Sequence, residues 1–162
     1  MTLSQIEYSG IIGDDSFSAS SAFDQASLAV TLHFSDRSQW IFHWQVSGRN
    51  ERLLMTDIPD CVIMDKSLTV SVDASNRWGN IIGSDVGALS WSHSETEWGC
   101  QPWSCRVSFV GNNFLIVCLG ELNQDGLPEY MPDSLLITGS PRAAHAYRAV
   151  QGGESAWGDD EI

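Results

Sequence analysis

Basic side chains are scarce in this chain. Eight Lys and Arg, only one of them Lys, stand against 21 Asp and Glu, giving a formal charge of −13. A surface of that sign repels polyphosphate and anionic lipid, which argues against nucleic acid and membrane surfaces as partners. The expected partner is a basic protein, with cations or neutral ligands as other candidates. Scattered acids also serve plain solubility, and the densest run is only Asp159-Asp160-Glu161.

Long apolar runs are missing too. The longest, Phe114 to Leu119, falls far short of the ~20 residues that span a bilayer. The N-terminal stretch up to Asp15 has no basic segment followed by an apolar one, so no signal peptide is expected. No Asn-x-Ser/Thr sequon occurs. The expected compartment is the cytoplasm, where Cys61, Cys100, Cys105 and Cys118 stay reduced.

Signatures of chemistry are absent as well. His93, Cys100, Cys105 and Cys118 could supply four zinc ligands, but no C-x-x-C pair frames them. The cysteines read better as small buried hydrophobes, and no metal or other cofactor is expected. Gly83-Ser84-Asp85-Val86-Gly87 has its Ser one place too early for a nucleophile elbow. There is no phosphate loop and no dinucleotide fingerprint. Asn123-Gln124-Asp125-Gly126 resembles the start of a calcium loop without the rest of its ligands. No residue is assigned a catalytic role.

What the chain does have is period-two patterning. Leu28, Val30, Leu32 and Phe34 alternate with smaller or polar residues, as do Trp40, Phe42, Trp44 and Val46 beyond the turn Ser35-Asp36-Arg37-Ser38. This predicts a β-hairpin with the even-numbered residues inward. Opposed residues then have numbers summing to 72 or 74, because a one-residue slip would reverse every side chain. His33 and His43 share its polar face, well apart in the first register and diagonal in the second.

A second hairpin is predicted over Val62 to Val72, with Met64 opposite Leu68 and Val62 opposite Val70. A third spans Cys105 to Leu119 around a two-residue Gly111-Asn112 turn, which places Cys105 opposite Cys118. Residues 1–27 suggest one short strand followed by a loop or an irregular helical turn. The stretch 73–104 reads mostly as long connections, with a strand over Val86 to Trp91. Ser140 as N-cap, Pro141 at the first position and Gly152 past the end predict a helix. Its buried stripe would be Ala143, Ala146, Tyr147 and Val150.

The expected fold is mainly β: an antiparallel β-sandwich or strongly bent sheet of hairpins, with one C-terminal helix (about 140–151) packed against it. Residues 1–152 form a single β-rich domain, and 153–162 form an acidic C-terminal tail that frays.

Trp91 to Trp103, WSHSETEWGCQPW, is the richest stretch that patterning leaves unexplained. Its Trp residues either cap the sandwich core or anchor an interface. Three function classes follow. The first is an acidic protein-binding module, an inhibitor or immunity-type protein occluding a basic nuclease or toxin. The match to that class lies in charge and size. Its binding residues would be Glu95, Glu97 and Trp98 from the Trp-rich stretch, and Trp157, Asp159, Asp160 and Glu161 from the tail. The second is a carbohydrate- or small-ligand-binding sandwich using Trp. The third is an enzyme whose site carries no recognisable motif.

Overall fold

The computed structural model describes residues 1–13, 17–58, 66–96 and 99–162. The protein is mainly β, built as two antiparallel sheets whose facing sides share one core, with a single short C-terminal helix. The first sheet holds β1 (Leu3–Ile11), β4 (Ala29–Phe34), β5 (Gln39–Ser47), β6 (Asn50–Thr56) and β7 (Thr69–Asp73), in the order β6-β5-β4-β1-β7. The second holds β2 (Phe17–Ala19), β3 (Asp24–Ala26), β8 (Val86–Thr96), β9 (Gly99–Phe109), β10 (Asn113–Leu119) and β13 (Leu135–Thr138). Its order is β2-β3-β13-β10-β9-β8. A small pair, β11 (Glu121–Leu122) and β12 (Pro128–Glu129), stands apart. The helix α1 covers Pro141–Ala146.

The β4–β5 hairpin has the predicted face and the 72 register: Val30 pairs with Phe42 and Leu32 with Trp40. Arg37, at φ 72, closes its odd-length turn in the left-handed region. Phe42 is fully buried, whereas Trp40 and Trp44 are half-buried and Val46 is exposed. Trp44 instead turns its ring N–H to Ser27 O at 2.9 Å. The opposite face is not uniformly wet, since Thr31 and Ile41 are buried there. His33 and His43 lie well apart along the ladder.

The β9–β10 hairpin departs from prediction by one residue. Phe109 pairs with Asn113 and Cys105 with Val117, so Cys118 lies opposite Ser104 and the two thiols occupy opposite faces. The loop is Val110-Gly111-Asn112, with Gly111 and Asn112 both at positive φ. The cause is that both faces of β10 are covered. Leu115, Val117 and Leu119 side with Val107 and Cys105, while Ile116 and Cys118 are just as buried on the other side. A strand buried on both faces carries a continuous apolar run, which holds no alternation to set register.

Three further expectations change, and one is left untested. The described part of residues 1–27 supplies three strands rather than one, and a bulge between Leu3 and Gln5 within β1 lets Leu3 and Ile6 both point inward. The first arm of the 62–72 hairpin lies outside the described residues; its second arm, β7, pairs with β1. Trp91 to Thr96 and Gly99 to Trp103 lie on the paired strands β8 and β9, not on connections. The helix stops at Ala146, since Tyr147 is extended (φ −94, ψ 124) and buried, and Val150 is exposed. Ser140 does cap it, accepting from Ala143 N at 3.1 Å.

The tail does not fray throughout. Ser155, Ala156 and Trp157 are buried against the outer face of the second sheet. Ser104 Oγ donates to Ala156 O at 2.7 Å, and Ala156 N donates to Tyr147 O at 2.8 Å. Among the described residues, no helix is long and apolar enough to cross a membrane.

Candidate functional site

Two stretches some sixty residues apart in the chain meet at one end of the second sheet. One is the outer part of the β8–β9 hairpin, where Glu95 pairs with Cys100 and Thr96 with Gly99. Thr96 Oγ1 donates to Gly99 O at 2.8 Å, which fastens the last rung. The other is the chain after α1. It leaves through Tyr147, whose hydroxyl donates to Leu119 O at 2.7 Å, and doubles back through an Arg148–Ser155 bridge. Glu154 joins the two stretches by accepting from His93 N at 2.7 Å.

Between them lies a cleft of about 510 Å³, lined by Glu95, Glu154, Asp159, His93, Cys100 and Arg148 among others. Three carboxylates face one guanidinium, and Arg148 already donates to Gly153 O. The cleft is therefore net negative. Among the described residues, none of its three carboxylates is in an ion pair. Such a surface attracts Lys and Arg side chains.

The predicted binding residues divide as follows. Glu95 and Asp159 come together on this cleft. Asp160 is committed to Arg106, and Glu161 is exposed beyond it. Trp157 is in the core, 4% exposed, with Phe114 edge-on at 4.9 Å. It is not a free docking side chain. Glu97 and Trp98 lie outside the described residues. Glu154 and Arg148 were not anticipated, because only the return of the chain after Tyr147 brings them to the hairpin.

A second polar cluster has no counterpart in the sequence reading. Tyr8 Oη donates to Asp24 Oδ2 at 2.7 Å and accepts from Trp78 Nε1 at 2.7 Å. Arg77 Nε donates to the same oxygen at 2.7 Å, and its Nη2 pairs with Asp24 Oδ1. Burial, then the Asp24 charge, raises the Tyr8 hydroxyl well above the usual phenol range. The cluster ties β1, β3 and the 3-10 turn Ser75–Trp78 together. Its members come from three separated segments, so no spacing announces it.

The four groups weighed as zinc ligands do not assemble. Cys105 and Cys118 are buried on opposite faces, while Cys100 and His93 are exposed. Among the described residues, no three of His, Cys, Asp or Glu are placed to hold a metal ion. No protein-family model matches the chain, and no curated protein or solved structure matches it either.

Proposed function

We propose that the protein is a cytosolic acidic binding module that occludes a basic protein partner, such as a nuclease or toxin. The observation that supports this is the convergence of Glu95, Glu154 and Asp159 on one cleft from two distant stretches, in a chain of net charge −13. Oriented carboxylates steer a cationic partner into register and speed its encounter. The ladder of β8 and β9 holds the hairpin side of the cleft, and the packing of Trp157 holds the other, so the charges are placed before binding.

Carbohydrate stacking has less support. Trp78, Trp103 and Trp157 are buried, and Trp40, Trp44 and Trp91 are half-buried and packed against the core. The two readings separate in one experiment. The immobilised protein is offered extract of its source cells and, in parallel, a glycan array. A captured basic protein whose activity is blocked at one-to-one stoichiometry supports the proposal. Tight glycan binding with no protein partner would sink it.

A further inference from the structure

The strand β2 ends the second sheet, and among the described residues no strand pairs with its outer side. Ser20 N donates to Phe23 O at 2.7 Å, which makes Ser20/Phe23 a hydrogen-bonded pair of the β2–β3 ladder. Such pairs alternate. Ser18 therefore bonds inward to Gln25, and Phe17 and Ala19 turn their N–H and C=O groups to the open edge.

The two faces of this edge differ in chemistry. Asp24 and Ala26, the partners of Ala19 and Phe17, are buried toward the first sheet. On that side lies a cleft of about 310 Å³, lined by Tyr8, Phe17, Val72 and Ala74 with the Asp24–Arg77 pair. Gln25, the partner of Ser18, points the other way and accepts from Leu122 N at 2.7 Å. On that side lies a cleft of about 660 Å³ that carries Glu121 and Glu129 and no Lys or Arg. These two acids are direct partners across the β11–β12 pair. Like charges directly opposite destabilise a sheet unless a cation sits with them.

We propose that the β2 edge accepts an extended segment of a partner protein as an added strand, with apolar and basic side chains in alternation. Main-chain bonds to Phe17 and Ala19 supply the pairing. Alternate side chains of the added strand fall on opposite faces. Apolar ones enter the cleft at Val72 and Ala74, and the intervening Lys or Arg reaches Glu121 and Glu129. This surface is separate from the Glu95 and Asp159 cleft and does not depend on the role proposed there.

The probe is a capped seven-residue peptide alternating Val and Lys, with a Val/Glu peptide as its counterpart. Binding is followed by amide chemical shifts of the labelled full-length protein. The Val/Lys peptide is expected to shift residues 17–19 and to bind at least ~10-fold more tightly than Val/Glu. Ala19→Pro removes one outward N–H that the β2–β3 ladder does not use, and is expected to weaken binding at least ~10-fold. The double variant Glu121→Gln/Glu129→Gln keeps shape and removes charge. It should weaken the Val/Lys peptide comparably, and it decides the matter if the proline variant misfolds. Glu95→Lys should leave peptide binding unchanged, so failure here and failure of the proposed function are told apart. The inference is overturned by no binding at about 1 mM, by equal binding of the two peptides, or by full binding to a folded Ala19→Pro protein. It is also overturned if β2 instead mediates self-association that Ala19→Pro abolishes, since the occupant would then be a second copy.

Discussion

The guanidinium carbon of Arg106 lies 4.2 Å from the centroid of the Trp157 ring. Arg106 is almost covered, and it pairs with Asp160, three residues beyond that ring. Cation, ring and carboxylate together pin the C-terminal segment to the outer face of β9 and β10. This contact explains why the acidic C-terminal segment packs on the sheet at Trp157, and it sets one wall of the acidic cleft.

Trp157→Ala should therefore destabilise the whole domain by ~3–5 kcal/mol, as loss of a buried aromatic does. Asp160→Asn should cost less than ~1 kcal/mol, because that carboxylate is mostly in water. Urea titration of the two variants checks this. Equal midpoints for Trp157→Ala and the parent protein would show that the segment is dispensable.

Stability should fall at alkaline pH. Burial raises the hydroxyls of Tyr8, Tyr147 and Tyr130 and the Cys118 thiol above their usual ranges, and it pushes Cys105 up to about 12. Each group holds its proton longer in the folded state than in the unfolded one. The stabilisation is complete below the unfolded thiol and phenol values. It is lost as pH rises through them toward the folded ones. Each fully buried group contributes a slope of roughly 1.4 kcal/mol per pH unit in that window. Unfolding free energies at about pH 8 and about pH 10.5 should differ accordingly. Tyr8→Phe should lower stability at the lower pH, since Trp78 Nε1 loses its acceptor, and should flatten the alkaline decline.

The thiols should react in two classes. Cys100 is exposed, whereas Cys105 and Cys118 are buried on opposite faces of the sheet. In a Cys61→Ser background, an aromatic disulfide reagent should find one fast thiol in the native protein and two more only after unfolding. Mild oxidation should not join Cys105 to Cys118. A crosslinked peptide containing both would contradict the register.

The one-residue slip shows where sequence pattern stops being informative. Between Leu28 and Val46 the alternation is strong enough to set the faces and to narrow the register to two sums, 72 or 74, of which the structure has 72. From Phe114 to Leu119 no such alternation exists, so turn chemistry at Gly111-Asn112 had to choose alone, and it chose a loop one residue too short. The helix was overextended for a related reason. Tyr147 fits the apolar stripe of a longer helix, but its burial is satisfied by leaving the helix and bonding Leu119 O. At the candidate site, Glu95 and Asp159 were legible as acids near aromatics. Their meeting was not, because it depends on the return of the chain through the Arg148–Ser155 bridge.

Two adjacent residues test the double burial of β10. Leu115 and Ile116 point to opposite faces and are both fully buried. Each change to Ala should cost ~2–5 kcal/mol. On a strand with one wet face, one of the two would be nearly neutral. A near-zero effect at Ile116 would mean that the outer face of β10 is not covered in solution.

The acidic cleft makes its own kinetic prediction. Steering acts on encounter, while short-range packing acts on residence. Glu95→Lys and Asp159→Lys place cations where the cleft should draw cations in, so each should slow association with the captured basic partner, by about tenfold at low salt. Dissociation should change less. The steep fall of the parent association rate with added salt should flatten in both variants, because the screened term has been removed. Asp125→Lys is the control. It makes the same change in net charge, but on the turn between β11 and β12, which does not line this cleft. If Asp125→Lys slows association as much as Glu95→Lys, overall charge and not the cleft does the steering. If the parent rate is indifferent to salt, electrostatic capture plays no part and the proposed use of this surface fails.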